Sequence, residues 1–240
     1  MIIQNLEKLI NWYIKNQFYC KIDIFSGEWL TTPLADKVFD LFEEKFSKIE
    51  PQYRPKEILI PDNGHFLENS IYLNKVENYI ERMKKLQIPL YLSLSVDGYY
   101  CDYARKEHKD EFYNTLYDFC LKHNFGIHPM ISSDNVQYWI ENYKWWREKC
   151  PKITKDFMML EVRDNTWTSE SLNQLIKFCD FLIEDKYSEF NYNKYELLKY
   201  IFDLYERGNQ KEERKYIQNT PIRLTSKGFH NNLDRVSCAM

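Results

Sequence analysis

Five apolar segments of this 240-residue chain each end in polar side chains of types that bind ligands. The groups are carboxylates, an imidazole, amides and hydroxyls, which hydrogen-bond polar ligands or coordinate cations. They stand at Gly27-Glu28, Asp62-Asn63-Gly64-His65, Ser95 with Asp97-Gly98, Ser132-Ser133 with Asn135, and Glu161 with Arg163-Asp164. Each group alone has an ordinary explanation, since Asp-Gly favours turns and Ser-Asp favours helix N-termini. Their recurrence after five successive segments favours a common binding site.

Two kinds of chemistry fit these residues, and the residue types leave both open. One is a cofactor site that relies on hydrogen bonds. The other is a divalent-metal site with oxygen and imidazole ligands, namely Glu28, His65, Asp97, His128 and Glu161. His128 lies inside an apolar segment between Ile127 and Pro129, which favours a packed or hydrogen-bonded histidine over a ligand at the rim. This location weakens the metal interpretation.

A regular alternation of strand-like and helix-like patterns is expected to place these groups together. Apolar alternation and β-branched residues predict strands over 20–25, 57–61, 89–96, 126–131 and 156–162. Helical spacing of apolar residues predicts helices over 4–17, 34–46, 71–87, 107–124, 135–148 and 169–185. Such alternation indicates βαβ units and a parallel sheet, in which ligands bind at the carboxyl ends of the strands. A further helix is predicted around 197–204, followed by a tail without periodicity.

The composition argues against several classes of partner. The 33 basic and 36 acidic residues give a net charge of −3 and no basic footprint for nucleic acid. No apolar run reaches the roughly 18 residues of a membrane span, and the first residues lack the organisation of a secretory signal. The cysteines, at positions 20, 101, 120, 150, 179 and 238, include no CxxC pair for a metal. We expect a soluble cytoplasmic protein with no nucleic-acid and no membrane partner.

The polar segments also resemble, in order, the motifs of the radical SAM enzymes. "IFSGEWLTTP" resembles the GGEP motif that ends the second strand of that family, and "IPDNG" the asparagine-glycine after its third strand. "LSLSVDGYYCDYAR" resembles the fourth strand, where an SxDG sequence precedes a D-x-x-R element. "HPMISSDNV" is similar to the fifth strand, and "LEVRDNTWTSESL" to the sixth strand of a peptide-maturing subgroup. The tail "RVSCAM" resembles the start of a SPASM extension.

This resemblance implies a partial (β/α)6 barrel of the radical SAM type that lacks its first strand, with about five parallel strands and outer helices. The barrel is expected to cover residues 1–185, and residues 186–240 a helical or irregular linker and the start of a SPASM-like extension. The implied parent activity is the reductive cleavage of S-adenosylmethionine and the radical modification of a peptide or protein side chain. That activity requires a peptide substrate, an electron donor and a [4Fe–4S] cluster.

The resemblance also implies a set of cofactor contacts. In the family, the residues matching Gly27 and Glu28 meet the amino group of S-adenosylmethionine, because glycine permits close approach and the carboxylate pairs with the ammonium. No catalytic residue is implied. The further implied contacts are Ser95 and Asn135 to the ribose, Arg105 to the cofactor carboxylate, Glu161 near adenine or the substrate, and Cys238 as a candidate auxiliary-cluster ligand.

The chain departs from the family at its defining motif. CxxxCxxC, whose three thiolates hold the [4Fe–4S] cluster, does not occur in the sequence. The first predicted helix matches the helix that follows this motif, so we expect a fragment that is inactive alone. Two other classes of function stay open. One is a non-catalytic homologue that binds a nucleotide-like ligand or a peptide, and the other is a metal-dependent barrel hydrolase or isomerase.

Overall fold

A computed structural model describes most of the chain. It covers residues 2–16, 21–25, 28–101, 108, 110–154, 158, 160–162 and 167–184, and the backbone of 222–225, 228–230 and 235–239. The chain divides into two compact units, one of Met1–Ser93 with Arg214–Met240 and one of Leu94–Glu213. Among the described residues, no helix combines the length and apolar character needed to cross a membrane.

Helices and strands alternate along the described residues up to position 184, and three strands follow in the C-terminal tail. The helices are α1 (Ile2–Asn16), α2 (Pro33–Phe46), α3 (Ser70–Lys85), α4 (Asp110–His123), α5 (Trp139–Lys149) and α6 (Ser169–Glu184). The strands are β1 (Lys21–Phe25), β2 (Glu57–Asp62), β3 (Leu90–Leu94), β4 (Met130–Ile131), β5 (Glu161–Val162), β6 (Ile222–Thr225), β7 (Gly228–His230) and β8 (Arg235–Ala239). Short 3-10 turns occur at Pro51–Tyr53, His65–Glu68 and Val136–Tyr138.

The first unit is built on a sheet with the strand order β3-β2-β1-β8-β6-β7. Strand β1 is parallel to β2 on one side, with Ile22 beside Ile58, and parallel to β8 on the other, with Ile22 beside Val236. Strand β8 is also parallel to β6, whereas β6 and β7 are antiparallel. Because β1 and β2 run in the same direction, the polar residues that follow them lie at one edge of the sheet.

The helices of the first unit begin at capping residues and pack through aromatic side chains. Thr32 Oγ1 accepts the N–H of Leu34 at 3.2 Å at the start of α2, and Asn69 caps α3 in the same way. Phe39 of α2 stacks on Tyr79 of α3 with ring centroids 4.1 Å apart. Both rings are buried, so this contact joins the two helices in the core.

In the second unit, three chain segments meet in a short parallel arrangement. Ile127 forms isolated parallel bridges with Leu94 and with Met158. Strands β4 and β5 are parallel, with Met130 beside Glu161. Helices α5 and α6 pack through Trp139 and Phe178, whose ring centroids are 5.7 Å apart.

The predicted α/β fold is confirmed, and all six predicted helices between residues 2 and 184 are present. The first three strands lie where the sequence places them, but β4 is shorter than the predicted 126–131. Pro129 lies in that segment and has no N–H for a ladder, which limits strand pairing there. For the predicted strand at 156–162, the structure describes the bridge at Met158 and the two residues of β5.

The C-terminal tail differs from the expectation of helical or irregular structure, because it contributes β6, β7 and β8 to the first unit's sheet. Each of these strands has three to five residues and lies in a tail rich in turn-forming residues, which obscure the alternation in the sequence. Pairing with β8 also means that β1 is not an edge strand. The predicted helix around 197–204 and the predicted domain boundary at 185–186 lie outside the described residues.

Candidate functional site

The polar groups after β1 and β2 form the candidate functional site of the first unit. This β1–β2 rim consists of Glu28, Asp62, Asn63, His65 and Glu68. Glu28 follows β1 and is exposed. Its Oε1 accepts a hydrogen bond from Nδ2 of Asn63, which follows β2. The parallel pairing of the two strands thus brings together side chains that are 35 residues apart in sequence.

The loop after β2 is held by two consecutive side-chain-to-backbone hydrogen bonds. Asp62 Oδ1 accepts the N–H of Gly64 at 2.8 Å, and Asn63 Oδ1 accepts the N–H of His65 at 3.1 Å. Both are the i to i+2 contacts that Asp and Asn form in Asx turns. Gly64 has φ +86°, a left-handed conformation that glycine adopts without steric cost.

Asp62 is the buried carboxyl of the rim. Burial disfavours its charged form and raises its pKa from 3.8 to about 6, although the hydrogen bond from the Gly64 N–H opposes this rise. The charge of Glu28 raises the pKa of Asp62 further, and His65 lowers it. Burial is therefore the main cause of the raised pKa of Asp62, and the Glu28 charge adds to it.

His65 and Glu68 form the outer part of the rim. Nδ1 of His65 lies 3.2 Å from Oε2 of Glu68, one turn further along the 3-10 segment. Both side chains are partly exposed. With Glu28 and Asp62, the rim carries three carboxyl groups, an arrangement that suits a ligand with an ammonium or another positive group.

The second unit uses its polar residues differently, because most of them bind backbone atoms. The carbonyl oxygen of Asp97 accepts hydrogen bonds from Asn142 Nδ2 at 2.6 Å and from Trp146 Nε1 at 3.2 Å. Oδ1 of Asp97 accepts the N–H of Met130 at 2.7 Å. These contacts attach the Asp97 turn to α5 and to the start of β4.

Gly98 is required by the close approach of α5 to this turn. Its φ is +105°, and a Cβ atom there would lie 2.2 Å from Trp146 Nε1 and 2.7 Å from Asn142 Oδ1. Those distances are far below van der Waals contact. The Asp-Gly pair in the SxDG-like segment thus has a packing function that needs no ligand.

Asn135 is also held by hydrogen bonds within the unit. Its Oδ1 accepts the N–H of Ser132 at 2.8 Å and Nε1 of Trp139 at 3.0 Å, and its Nδ2 donates to the Met130 carbonyl at 2.8 Å. The side chain is buried. This geometry gives Asn135 a structural function after β4, and its predicted ribose contact stays a prediction.

Of the other predicted site residues, some are described with their side chains, some only by their backbone, and some not at all. Ser95 is exposed directly after β3. Gly27 and Arg105 lie outside the described residues, and Glu161 and Cys238 are described only as backbone positions of β5 and β8. Of the residues in the metal interpretation, Glu28 and His65 belong to the first unit, and Asp97 and His128 to the second. The cofactor contacts assigned to these residues stay predictions.

The described cysteines do not fit an iron–sulfur cluster. Cys101, Cys120, Cys150 and Cys179 are all buried. Burial raises the pKa of Cys120, Cys150 and Cys179 to about 12, which strongly disfavours the thiolate that binds iron. The side chains of Cys20 and Cys238 lie outside the described residues.

The sequence placed Asn63 among the strand-end groups but did not predict its contact with Glu28. Asn63 stands in the segment "DNGH", whose Asp-Asn-Gly order is a recognisable signal for consecutive Asx turns. Asn142 and Trp146 were also missed, because they bind Asp97 from a helix more than 40 residues further along the chain. Their helical spacing of four residues indicates a shared face but not its partner.

Comparisons with known proteins found no family and only distant structural similarity. No protein-family model and no curated protein sequence matches the chain. Among solved structures, the YdjI aldolase from Escherichia coli K12 is similar with a TM-score of 0.30 and 12% sequence identity. The match covers 73% of this chain and 59% of the aldolase chain.

Proposed function

We propose that this chain is the S-adenosylmethionine-binding core of a radical SAM/SPASM-like peptide or protein maturase. The observation that carries the proposal is the exposed Glu28 carboxylate at the carboxyl end of β1, bound by Asn63 from the neighbouring parallel strand. In this proposal Glu28 receives the ammonium group of the cofactor. The partial (β/α)6 barrel and the order of the strand-end motifs belong to the same proposal.

The charge of the β1–β2 rim supports a positively charged ligand. S-adenosylmethionine carries a sulfonium and an ammonium, and the rim offers Glu28, Glu68 and the titrating Asp62. An ion-paired hydrogen bond to a carboxylate is stronger than a neutral one, particularly where part of the site is shielded from water. Asn63 uses only one of the two Glu28 oxygens, so the carboxylate retains acceptor capacity for the ligand.

The radical step requires a cluster, which supplies one electron to the sulfonium when it is bound. The described cysteines do not fit that cluster, so no step through it is derived for this chain. The peptide substrate and the electron donor belong to the proposed parent activity. What this chain's own residues contribute is the binding and orientation of the cofactor's amino-acid group.

Titration calorimetry of the full chain tests the proposal. Glu28→Gln removes the charge but keeps the shape, and we expect S-adenosylmethionine to bind about 10- to 100-fold more weakly, since a hydrogen bond to a charged group contributes about 1.5–3 kcal/mol. The matched control is Glu50→Gln, an exposed carboxylate with no side-chain capping bond, which should not change the affinity.

A second ligand distinguishes the loss of the ammonium contact from disruption of the whole binding site. 5'-Methylthioadenosine has the adenosine and the sulfur but no amino-acid group, so Glu28→Gln should leave its affinity within about twofold. Equal losses for both ligands would contradict the assignment of Glu28 to the ammonium. Absence of S-adenosylmethionine binding by the wild-type chain at millimolar concentration would reject the proposed function.

A non-catalytic homologue that binds a nucleotide-like ligand or a peptide is the second candidate. The burial of all four described cysteines favours it, because the part of the chain that the structure describes offers no accessible thiolate. The coding sequence directly upstream of this chain distinguishes the two functions. An in-frame CxxxCxxC there would support the first candidate, and its absence would support the second.

A further inference from the structure

Asn63 differs from the other rim residues because both ends of its side-chain amide are engaged with different partners. Its Oδ1 accepts the backbone N–H of His65 at 3.1 Å, and its Nδ2 donates to Oε1 of Glu28. One contact lies within its own loop, and the other reaches the residue after the adjacent strand.

The chemistry of the two partners fixes the orientation of the amide. The N–H of His65 is a donor and therefore needs the oxygen of Asn63, which leaves the NH2 group on the side of Glu28. An ionised Glu28 carboxylate only accepts, so the reversed amide would lose both hydrogen bonds. The backbone turn after β2 thus determines that a donor is directed at Glu28.

The charge of the neighbouring Asp62 makes the Asn63 amide donor important for the orientation of the Glu28 carboxylate. Asp62 precedes Asn63, and its pKa shift shows that it is electrostatically coupled to Glu28. Without that donor, the repulsion between the Asp62 and Glu28 charges would favour a Glu28 carboxylate turned towards water. Held by one oxygen, Glu28 keeps a defined direction and an oxygen for a ligand.

We propose that Asn63 is a positioning residue that orients the Glu28 carboxylate for a ligand ammonium, and that it does so through an amide polarised by the Asx turn after β2. The ligand part of this inference rests on the proposed function. The orientation of Glu28 by Asn63 does not, and it is measured without ligand.

Asn63→Asp separates the two contacts of the side chain. An aspartate keeps the oxygen that accepts the His65 N–H, so the turn is retained, but it replaces the donor facing Glu28 with a second acceptor. Asn69→Asp is the matched control, since Asn69 accepts the N–H of Ile71 at 2.9 Å in the same kind of capping contact, and no contact of its amide nitrogen enters the proposal.

The ligand-free experiment is nuclear magnetic resonance of the Asn63 side-chain amide in the full chain. In the wild type, the proton directed at Glu28 should resonate downfield of its geminal partner, and Glu28→Gln should move that proton upfield at constant pH. Glu50→Gln should not move it. An Asn63 amide that is unaffected by Glu28→Gln would overturn the inference.

The ligand experiment then compares S-adenosylmethionine with 5'-methylthioadenosine by calorimetry. We expect Asn63→Asp to weaken the first at least tenfold and the second by no more than twofold, with Asn69→Asp unchanged for both. Equal weakening of both ligands would mean that Asn63 only maintains the loop, which overturns its positioning role. If the wild-type chain binds neither ligand, the proposed function fails, and the amide resonance alone decides whether Asn63 orients Glu28.

Discussion

The buried Asp62 predicts an unusual pH dependence of stability in the first unit. Its pKa is about 6 in the folded chain and 3.8 when unperturbed, so between these values the folded state holds a proton that the unfolded state has lost. The contribution of Asp62 to the free energy of unfolding therefore falls as the pH rises from about 4 to 6, and it does not recover at higher pH. A difference of about two pKa units corresponds to about 3 kcal/mol.

Asp62→Asn removes the cost of burying a charged carboxylate but retains an oxygen that accepts the Gly64 N–H. We expect the variant and the wild type to differ little in stability near pH 3.5, and the variant to be about 2–3 kcal/mol more stable relative to the wild type at pH 8. Urea unfolding followed by pulsed hydrogen exchange of β1 and β2 peptides reports on this unit separately from the other.

The control and a direct titration make the test of Asp62 decisive. Glu50→Gln alters an exposed carboxylate and should show a stability difference below about 0.5 kcal/mol at either pH. Carbon-13 resonances of the carboxyl groups report the pKa of Asp62, which Glu28→Gln should lower, because the Glu28 charge raises it. A stability difference between Asp62→Asn and the wild type that is the same at pH 3.5 and pH 8 would refute the reasoning.

Three further results are expected from the second unit. Gly98→Ala forces a Cβ to within 2.2 Å of Trp146 Nε1 at a positive φ and should destabilise the unit by about 2–4 kcal/mol in urea unfolding, whereas Ser95→Ala at an exposed site should not. Asn135→Ala leaves two buried donors, the Ser132 N–H and Trp139 Nε1, and the part-buried Met130 carbonyl without these hydrogen bonds, and should cost about 2–4 kcal/mol by the same measurement, with exposed Gln137→Ala as control. Thiol labelling at pH 8, mapped to individual residues, should be slow in the folded chain and fast in urea at Cys120, Cys150 and Cys179. Rapid labelling of these thiols in the folded chain would contradict their burial.

The helices could be predicted because their apolar residues recur over several turns. In α1, Leu6, Leu9, Ile10 and Tyr13 share one face in the sequence pattern, and all four are buried. A stripe of this length is specific to a helix. The strands β6–β8 are short and lie among turn-forming residues, so a pattern with a period of two could not be recognised there, whereas β1 and β3 are apolar segments bounded by turn residues.

The candidate site was only partly predictable, because the sequence indicates where a polar residue lies but not which residue it hydrogen-bonds. The end of β1 could be located from the sequence, and Glu28 lies there as expected. Its contact with Asn63 depends on which strand lies next to β1 and in which direction that strand runs. The strand–helix alternation predicted parallel strands, but it does not say which strand lies next to β1. The position of a residue at a strand end could therefore be predicted, and its hydrogen-bond partner could not.

The two units show why polar residues at strand ends are ambiguous as signs of function. Asp97, Gly98 and Asn135 are as motif-like as Glu28, yet hydrogen bonds or close contacts hold them against backbone, tryptophan and asparagine groups of the same unit. Changes at these residues should act through folding. Glu28 is exposed and anchored through one oxygen, so its replacement should reduce ligand binding with little effect on folding. The ratio of binding loss to stability loss therefore distinguishes a ligand-binding rim from a structural one, and a large stability loss in Glu28→Gln would remove the main support for the proposed function.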